Sequence, residues 1–261
     1  MHIKPKKRLG QNFLIDGNIQ KKIIAASELG PSDNVLEIGA GCGELTRLIA
    51  ASVTGVYALE IDPYLCQVLK CGLKGHPNVK IINKDILKFN LRRYFAKLKN
   101  KIKVIGNIPY YITTPIIEHL LEYRDRINTI FITIQKEPAI RMTATPGSKD
   151  YGSFSCFLQY YTEPKILFLI KKTCFRPVPK VDSCFMRLQM RKEPAVKVNN
   201  EKLFFKIIRA AFNKRRKVLR NSLKSVIPQQ KLGAFFNKYS INSNIRPEDL
   251  ALEDFANLTN I

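Results

Sequence analysis

Four groups of residues in the 261-residue chain have types and spacings suited to chemistry. Glu37-Ile38-Gly39-Ala40-Gly41-Cys42-Gly43 follows a short apolar run. Glycines there let the backbone turn tightly and approach a ligand at the carboxyl end of a strand. Such a loop serves a dinucleotide, S-adenosylmethionine or only a tight turn, and the lack of a full G-x-G-x-x-G fingerprint disfavours NAD. Glu60 lies about 20 residues further on, at the end of the next apolar run, where an acid accepts hydrogen bonds from ribose hydroxyls; the plainer reading is a solvated acid at a strand end. Asp85, after the third run, is placed to accept from an adenine amino group or simply to cap a local turn. Asn107-Ile108-Pro109-Tyr110 is the most specific group. An exocyclic base amine is a poor nucleophile because its lone pair is delocalised into the ring. The Asn107 side-chain oxygen and the Ile108 main-chain carbonyl are suited to accept from that amine and draw it towards tetrahedral geometry, while Tyr110 offers an aromatic face to an extruded base.

These groups need a scaffold that brings strand ends together. From Asn34 to about Gln135, short β-rich apolar runs (34–39, 55–61, 79–83, 104–107 and 129–135) alternate with helical patterns at 44–51, 63–72 and 115–123. That alternation predicts βαβ units and a parallel, doubly wound α/β sheet with strands covered on both faces. Lys165–Ile170 and Ser183–Met190 read as strands joined by an extended loop containing Pro177 and Pro179, hence an antiparallel pair closing the sheet. Glu193-Pro194 marks a boundary. Beyond it the pattern is helical at 203–212, 218–226, 229–239 and 247–258. The expected division is a catalytic domain over 1–192, including an N-terminal arm, and a small all-α domain over 193–261.

Composition narrows the function classes. The chain carries 44 Lys+Arg against 21 Asp+Glu, a formal charge of +23. This exceeds what solubility requires and implies a polyanionic partner, nucleic acid or an anionic membrane surface. No apolar run approaches the roughly 20 residues of a membrane span, and the basic residues are not backed by a strongly amphipathic anchor. The basic N-terminal stretch has no apolar core, which argues against a secretory signal. Cys42, Cys66, Cys71, Cys156, Cys174 and Cys184 form no C-x-x-C pair and no zinc spacing, so reduced cytosolic thiols and no metal are expected. His2, His76 and His119 lie outside every motif, so no Ser/His or Cys/His triad is indicated.

Together, the motifs resemble those of the KsgA/Erm family of S-adenosylmethionine-dependent rRNA adenine N6-dimethyltransferases, nearly end to end. The similarity includes Leu9-Gly10-Gln11-Asn12-Phe13-Leu14, the four groups above, and Phe175-Arg176-Pro177-Val178-Pro179-Lys180-Val181-Asp182-Ser183. It implies a class I methyltransferase domain with an antiparallel last hairpin. Gln11, Asn12 and Leu14 are implied to close over the cofactor, with Gly39 and Gly41 beside its methionine part. Glu60 and Ile61 are implied at its ribose, and Asp85 and Ile86 at its adenine. Asn107 is implied at both the methionine end and the target amine, with Ile108 and Pro109 in the same catalytic turn. Phe175 is implied to stack on the flipped adenine opposite Tyr110.

Thr114-Pro115, the segment 146–152 and the block Ala211–Leu223 resemble the KsgA branch. That branch modifies two adjacent adenosines near the 3′ end of small-subunit rRNA. Ile108 departs from the Leu usual there and matches the Ile frequent in the Erm branch, but only its carbonyl is used. The implied partner is small-subunit rRNA in a pre-30S particle, met by a cytoplasmic monomer. Residues 197–238 hold 12 basic residues and one acid, Glu201. Lys214, Arg215, Arg216, Lys217 and Arg220 in the tail, with Lys6, Lys7 and Arg8 in the arm, are expected to grip phosphates. Alternatives are an Erm-like large-subunit enzyme, a DNA adenine methyltransferase, and a non-catalytic RNA-binding assembly factor on the same fold. The intact Glu60, Asp85 and Asn107 groups speak against the last.

Overall fold

The computed structural model describes residues 5–6, 9–213 and 217–261. Its strands are β1 (Phe13–Leu14), β2 (Asn34–Ile38), β3 (Gly55–Glu60), β4 (Val79–Asn83), β5 (Ile102–Asn107), β6 (Ile127–Gln135), β7 (Thr162–Ile170), β8 (Phe175–Arg176) and β9 (Ser183–Met190). Its α-helices are α1 (Gly17–Ala26), α2 (Glu44–Ala50), α3 (Pro63–Gly72), α4 (Leu91–Tyr94), α5 (Thr113–Glu122), α6 (Lys136–Thr143), α7 (Ser153–Tyr161), α8 (Glu201–Phe212), α9 (Leu219–Ser222), α10 (Gln229–Lys238) and α11 (Leu252–Asn260). The chain divides into two compact units, one of residues 1–139 and 165–190, the other of 140–164 and 191–261.

In the first unit, seven strands form a sheet in the order β4-β3-β2-β5-β6-β9-β7. Strands β4, β3, β2, β5 and β6 are parallel neighbours, and β9 runs antiparallel to β6. The continuous apolar runs are explained by burial on both faces: Val35, Leu36, Ala58, Val104, Ile130 and Ile132 are all inaccessible. The chain leaves β2 towards β3 on one side and later returns to β5 on the other. The resulting switch point lies between the carboxyl ends of β2 and β5, where open α/β sheets bind ligands. Register aligns those ends: Ile38 pairs with Leu59 and Gly106, and Glu60 with Asn83. Asn83 Nδ2 also donates to the carbonyls of Glu60 (2.9 Å) and Ile61 (3.2 Å), fixing the β3 and β4 ends.

The second unit packs aromatic residues. Helix α8 presents Phe204, Ile207, Ile208 and Ala211 as one buried stripe at helical spacing. Asn200 caps it, accepting from Leu203 N at 3.0 Å. Tyr160 and Tyr161 of α7 donate to the Glu201 carboxylate at 3.2 and 2.6 Å, and their rings lie against Phe204 and Phe205.

Several expected boundaries shift for physical reasons. Strand β7 begins at Thr162 rather than Lys165, passing through Pro164, which an edge strand tolerates. The helix expected over 218–226 shrinks to α9, which includes Asn221 and Ser222, weak helix formers. The helix expected over 247–258 is a 3-10 turn at Pro247–Asp249 followed by α11. The break falls at buried, extended Leu250, and Asp254 restarts the helix by accepting from Ala251 N at 2.8 Å. Helices α1, α4, α6 and α7 and the short strands β1 and β8 are additional to the sequence reading.

Candidate active site

A cleft of about 770 Å³, open to solvent, occupies the switch point. Its floor is the glycine loop after β2, where Gly39, Gly41 and Gly43 have φ of 75°, 57° and 88°. These left-handed values favour glycine, and Gly43 so conformed leads directly into α2. Gly41 has a second constraint: a Cβ there would stand 3.3 Å from the Phe13 ring.

Glu60 ends β3 beneath this loop, 5% exposed. Its Oε2 accepts from Gly41 N at 3.0 Å and its Oε1 from Asp62 N at 2.9 Å. Burial pushes its carboxyl above the ordinary range, against the pull of those amides. Each oxygen keeps a further lone pair for a ligand hydroxyl. Asp85 lines the cleft after β4, and its Oδ1 accepts from Leu87 N at 3.0 Å. Turn capping therefore uses Oδ1 and leaves Oδ2 as a further acceptor.

At the end of β5, Asn107 Nδ2 donates to the Asn12 carbonyl at 2.8 Å. This orients the amide and leaves Oδ1 as an acceptor. Ile108 is 1% exposed, so the turn has a dry base. The half-buried Tyr110 ring is aimed by a 2.7 Å bond between its hydroxyl and Ser183 Oγ at the start of β9. Burial raises the phenol's pKa and the Ser183 bond opposes this.

The segment 9–14 forms the opposite wall. Strand β1 pairs antiparallel with β8, Leu14 opposite Phe175 and Phe13 opposite Arg176. Lys6 Nζ meets Asp62 Oδ1 at 2.8 Å, and Lys6 N donates to Gln11 Oε1 at 2.8 Å. Asp62 is also the cap of α3, accepting from Tyr64 N. Burial alone would raise the Asp62 pKa, but Lys6 and Tyr64 N together hold it low.

Of the residues singled out from sequence, Gln11, Asn12, Gly39, Gly41, Glu60, Ile61, Asp85, Ile86, Asn107, Ile108, Pro109 and Tyr110 all line this cleft. Leu14 lines an adjoining cavity of about 520 Å³ that shares Phe13, Gly39, Gly41 and Asn107 with it. Phe175 is 1% exposed beneath β1 in the core and lines neither space. Lys6 is committed to Asp62, while Lys217 and Arg220 are exposed and Arg220 Nε donates to Gln229 at 3.0 Å. Lys7, Arg8, Lys214, Arg215 and Arg216 lie outside the described residues. Sequence reasoning missed Phe13, Lys84 and Ile112 as lining residues, Ser183 as the partner of Tyr110, and Asp62 as the partner of Lys6. It also missed Glu37. That carboxyl is buried at the second cavity with Oε2 unbonded, and burial, with the Glu60 and Glu44 charges, pushes it up to about 8 against the Thr46 hydroxyl.

This strand order, with an antiparallel β9 set between β6 and β7 and a glycine loop at the switch point, is that of the class I methyltransferases. Residues 2–261 match the model of one family, described as Ribosomal RNA adenine dimethylase, and the chain belongs to that family. Its sequence is 44% identical over 258 residues to Ribosomal RNA small subunit methyltransferase A of Alkaliphilus metalliredigens (strain QYMF), covering 97% of this chain and 90% of that protein. The protein of the same name from Moorella thermoacetica is 43% identical over 263 residues, with coverage of 98% and 91%. Among solved structures, a dimethyladenosine transferase from Plasmodium falciparum has a TM-score of 0.81 at 25% identity, covering 94% of this chain and 95% of that one. The 23S rRNA methyltransferase ErmE has a TM-score of 0.76 at 29% identity, with coverage of 95% and 98%.

The family's methyl donor is S-adenosylmethionine, and the residues present fit it. Glu60 and Asp85 offer acceptors for ribose hydroxyls and an adenine amine. The ammonium of the cofactor's zwitterionic amino-acid end would find an acceptor in Glu37, whose Oε2 is unbonded at the adjoining cavity. Gln11 Nε2 is buried beside the Asp62 carboxylate, which it helps to hold ionised.

Proposed function

We propose that this chain dimethylates N6 of two adjacent adenosines near the 3′ end of small-subunit rRNA, and that it acts during subunit maturation. The carrying observation is the orientation of Asn107. With Nδ2 bound to the Asn12 carbonyl, Oδ1 faces the task of accepting an amine hydrogen, and the Ile108 carbonyl supplies the second acceptor. Drawing both hydrogens of the amine frees its lone pair, and the buried Ile108 keeps water from competing. Tyr110, steadied by Ser183, holds the extruded base by its face. Bound S-adenosylmethionine supplies a methyl group already activated on a sulfonium. Positioning and desolvation by the chain then account for most of the acceleration. The alkylated amine is acidic, so its proton leaves to water without a dedicated base.

In this reading Gln11, Asn12, Leu14, Gly39, Gly41, Glu60, Ile61, Asp85 and Ile86 hold the cofactor, and residues 193–261 form a basic helical domain that grips the rRNA helix. Identity to small-subunit methyltransferases over nearly the whole chain supports the choice of subunit. A cytoplasmic monomer is the proposed form. All six cysteines are unpaired, and among the described residues no helix is long and apolar enough to cross a membrane. The test is transfer of labelled methyl to unmodified small subunits, large subunits, naked rRNA and DNA. Label is expected on small-subunit rRNA as N6,N6-dimethyladenosine; label confined to large subunits or DNA contradicts the proposal.

A further inference from the structure

Tyr110 and Tyr111 are consecutive but turned apart. Tyr110 faces the cleft and bonds Ser183, whereas Tyr111 is 63% exposed, more than any other large hydrophobic side chain among the described residues. Exposure on this scale does not mean a loose ring. A Cβ at Gly10 would stand 2.9 Å from Tyr111 Cε1 and 3.1 Å from Cδ1, so the ring edge rests on the Gly10 backbone. Gly10 has φ of +60°, a second reason for glycine at that place. The ring edge thus lies against Gly10, which itself lines the cleft, and Tyr111 directly follows the Asn107–Tyr110 turn in the chain.

Extruding an adenine from a strand removes the stacking partner of its neighbour and exposes one face of that neighbour to water. A pre-seated aromatic beside the cleft replaces the lost partner at little entropic cost. The chain's excess of 23 positive charges suits a polynucleotide at this rim, and exposed Lys84 lines the same cleft. We infer that Tyr111 is a stacking platform for the ribonucleotide next to the target adenine, helping to select a target that has an unpaired neighbour. This rests on the rRNA-adenine reading above.

The test uses the full chain as wild type, Tyr111→Phe and Tyr111→Leu. The probe is a short RNA hairpin from the small-subunit 3′ end with 2-aminopurine placed immediately 5′ or 3′ of the target adenosine. This base lacks N6 and so also restricts methylation to one site. Wild type and Tyr111→Phe are expected to quench the fluorophore at one of the two positions, and Tyr111→Leu to lose that quench. On unmodified small subunits, Tyr111→Leu should raise KM for RNA by roughly 5- to 150-fold, the worth of one base–aromatic stack, with kcat and S-adenosylmethionine affinity close to wild type. Unchanged KM and quench in Tyr111→Leu overturn the platform, as does a loss that Tyr111→Phe fails to rescue. Failure of wild type to methylate small-subunit rRNA overturns the underlying reading instead.

Discussion

The side chain of Asn107 donates to the main chain of Asn12 across 95 residues of sequence, at 2.8 Å. The residue that ends β5 is thereby tied to the segment that walls the cofactor cleft. The bond that holds the wall also fixes the amide, with Oδ1 left to accept.

Lys6 and Asp62 form a second tie. Asp62 is 2% exposed and Lys6 40%, so the pair is screened on one side and modest in strength. Lys6→Met is expected to speed S-adenosylmethionine release a few-fold by stopped-flow, while the salt dependence of RNA binding stays nearly unchanged. The opposite pattern would make Lys6 a phosphate contact.

Glu37 predicts a pH signature. Its carboxyl moves from 4.5 to about 8 on folding, through burial. Between those values the folded chain holds a proton that the unfolded chain has released. Stability therefore falls as pH rises through this window, by at most about 1.4 kcal/mol per unit from this group. Glu37→Gln should lose less stability than wild type between about pH 5.5 and about pH 8. Urea unfolding at the two pH values checks this, and equal losses count against it.

Phe175 lies in the core under β1. Phe175→Ala should cost roughly 3–5 kcal/mol of stability, as large-to-small core substitutions of this kind do. Chemical denaturation measures it. Wild-type stability with abolished methylation would indicate a purely substrate-facing ring.

The tail's charge should appear in the salt dependence. Lys217 and Arg220 are exposed. Changing both to Gln should reduce the slope of log affinity against log salt for rRNA by roughly 1–2 and leave S-adenosylmethionine binding intact. An unchanged slope returns the run to an ordinary solvated surface.

Much of the cleft's lining was legible because glycines, a strand-end acid and the Asn-Ile-Pro-Tyr turn each follow an apolar run, and strand ends are where such a sheet binds ligands. Contacts made by distant partners were not legible. Nothing local to Ser183, Asp62 or Gly10 announces Tyr110, Lys6 or Tyr111, since these pairs meet only through topology. Helix α7 escaped for another reason. Its Phe- and Tyr-rich sequence has middling helix propensity, and its buried positions include Ser155 and Cys156, which dilute the amphipathic period. Glu37 has no role of its own within the glycine-loop motif, and only its burial beside a cavity sets it apart.

The central claim is that Asn107 prepares an adenine amine for methylation. Single-turnover transfer of labelled methyl to unmodified small subunits, at saturating S-adenosylmethionine, compares wild type with Asn107→Ala most directly. The account predicts a loss of at least about 100-fold in rate, the scale of removing one preorganised polar group, with RNA affinity largely kept. Turnover within a few-fold of wild type would contradict it.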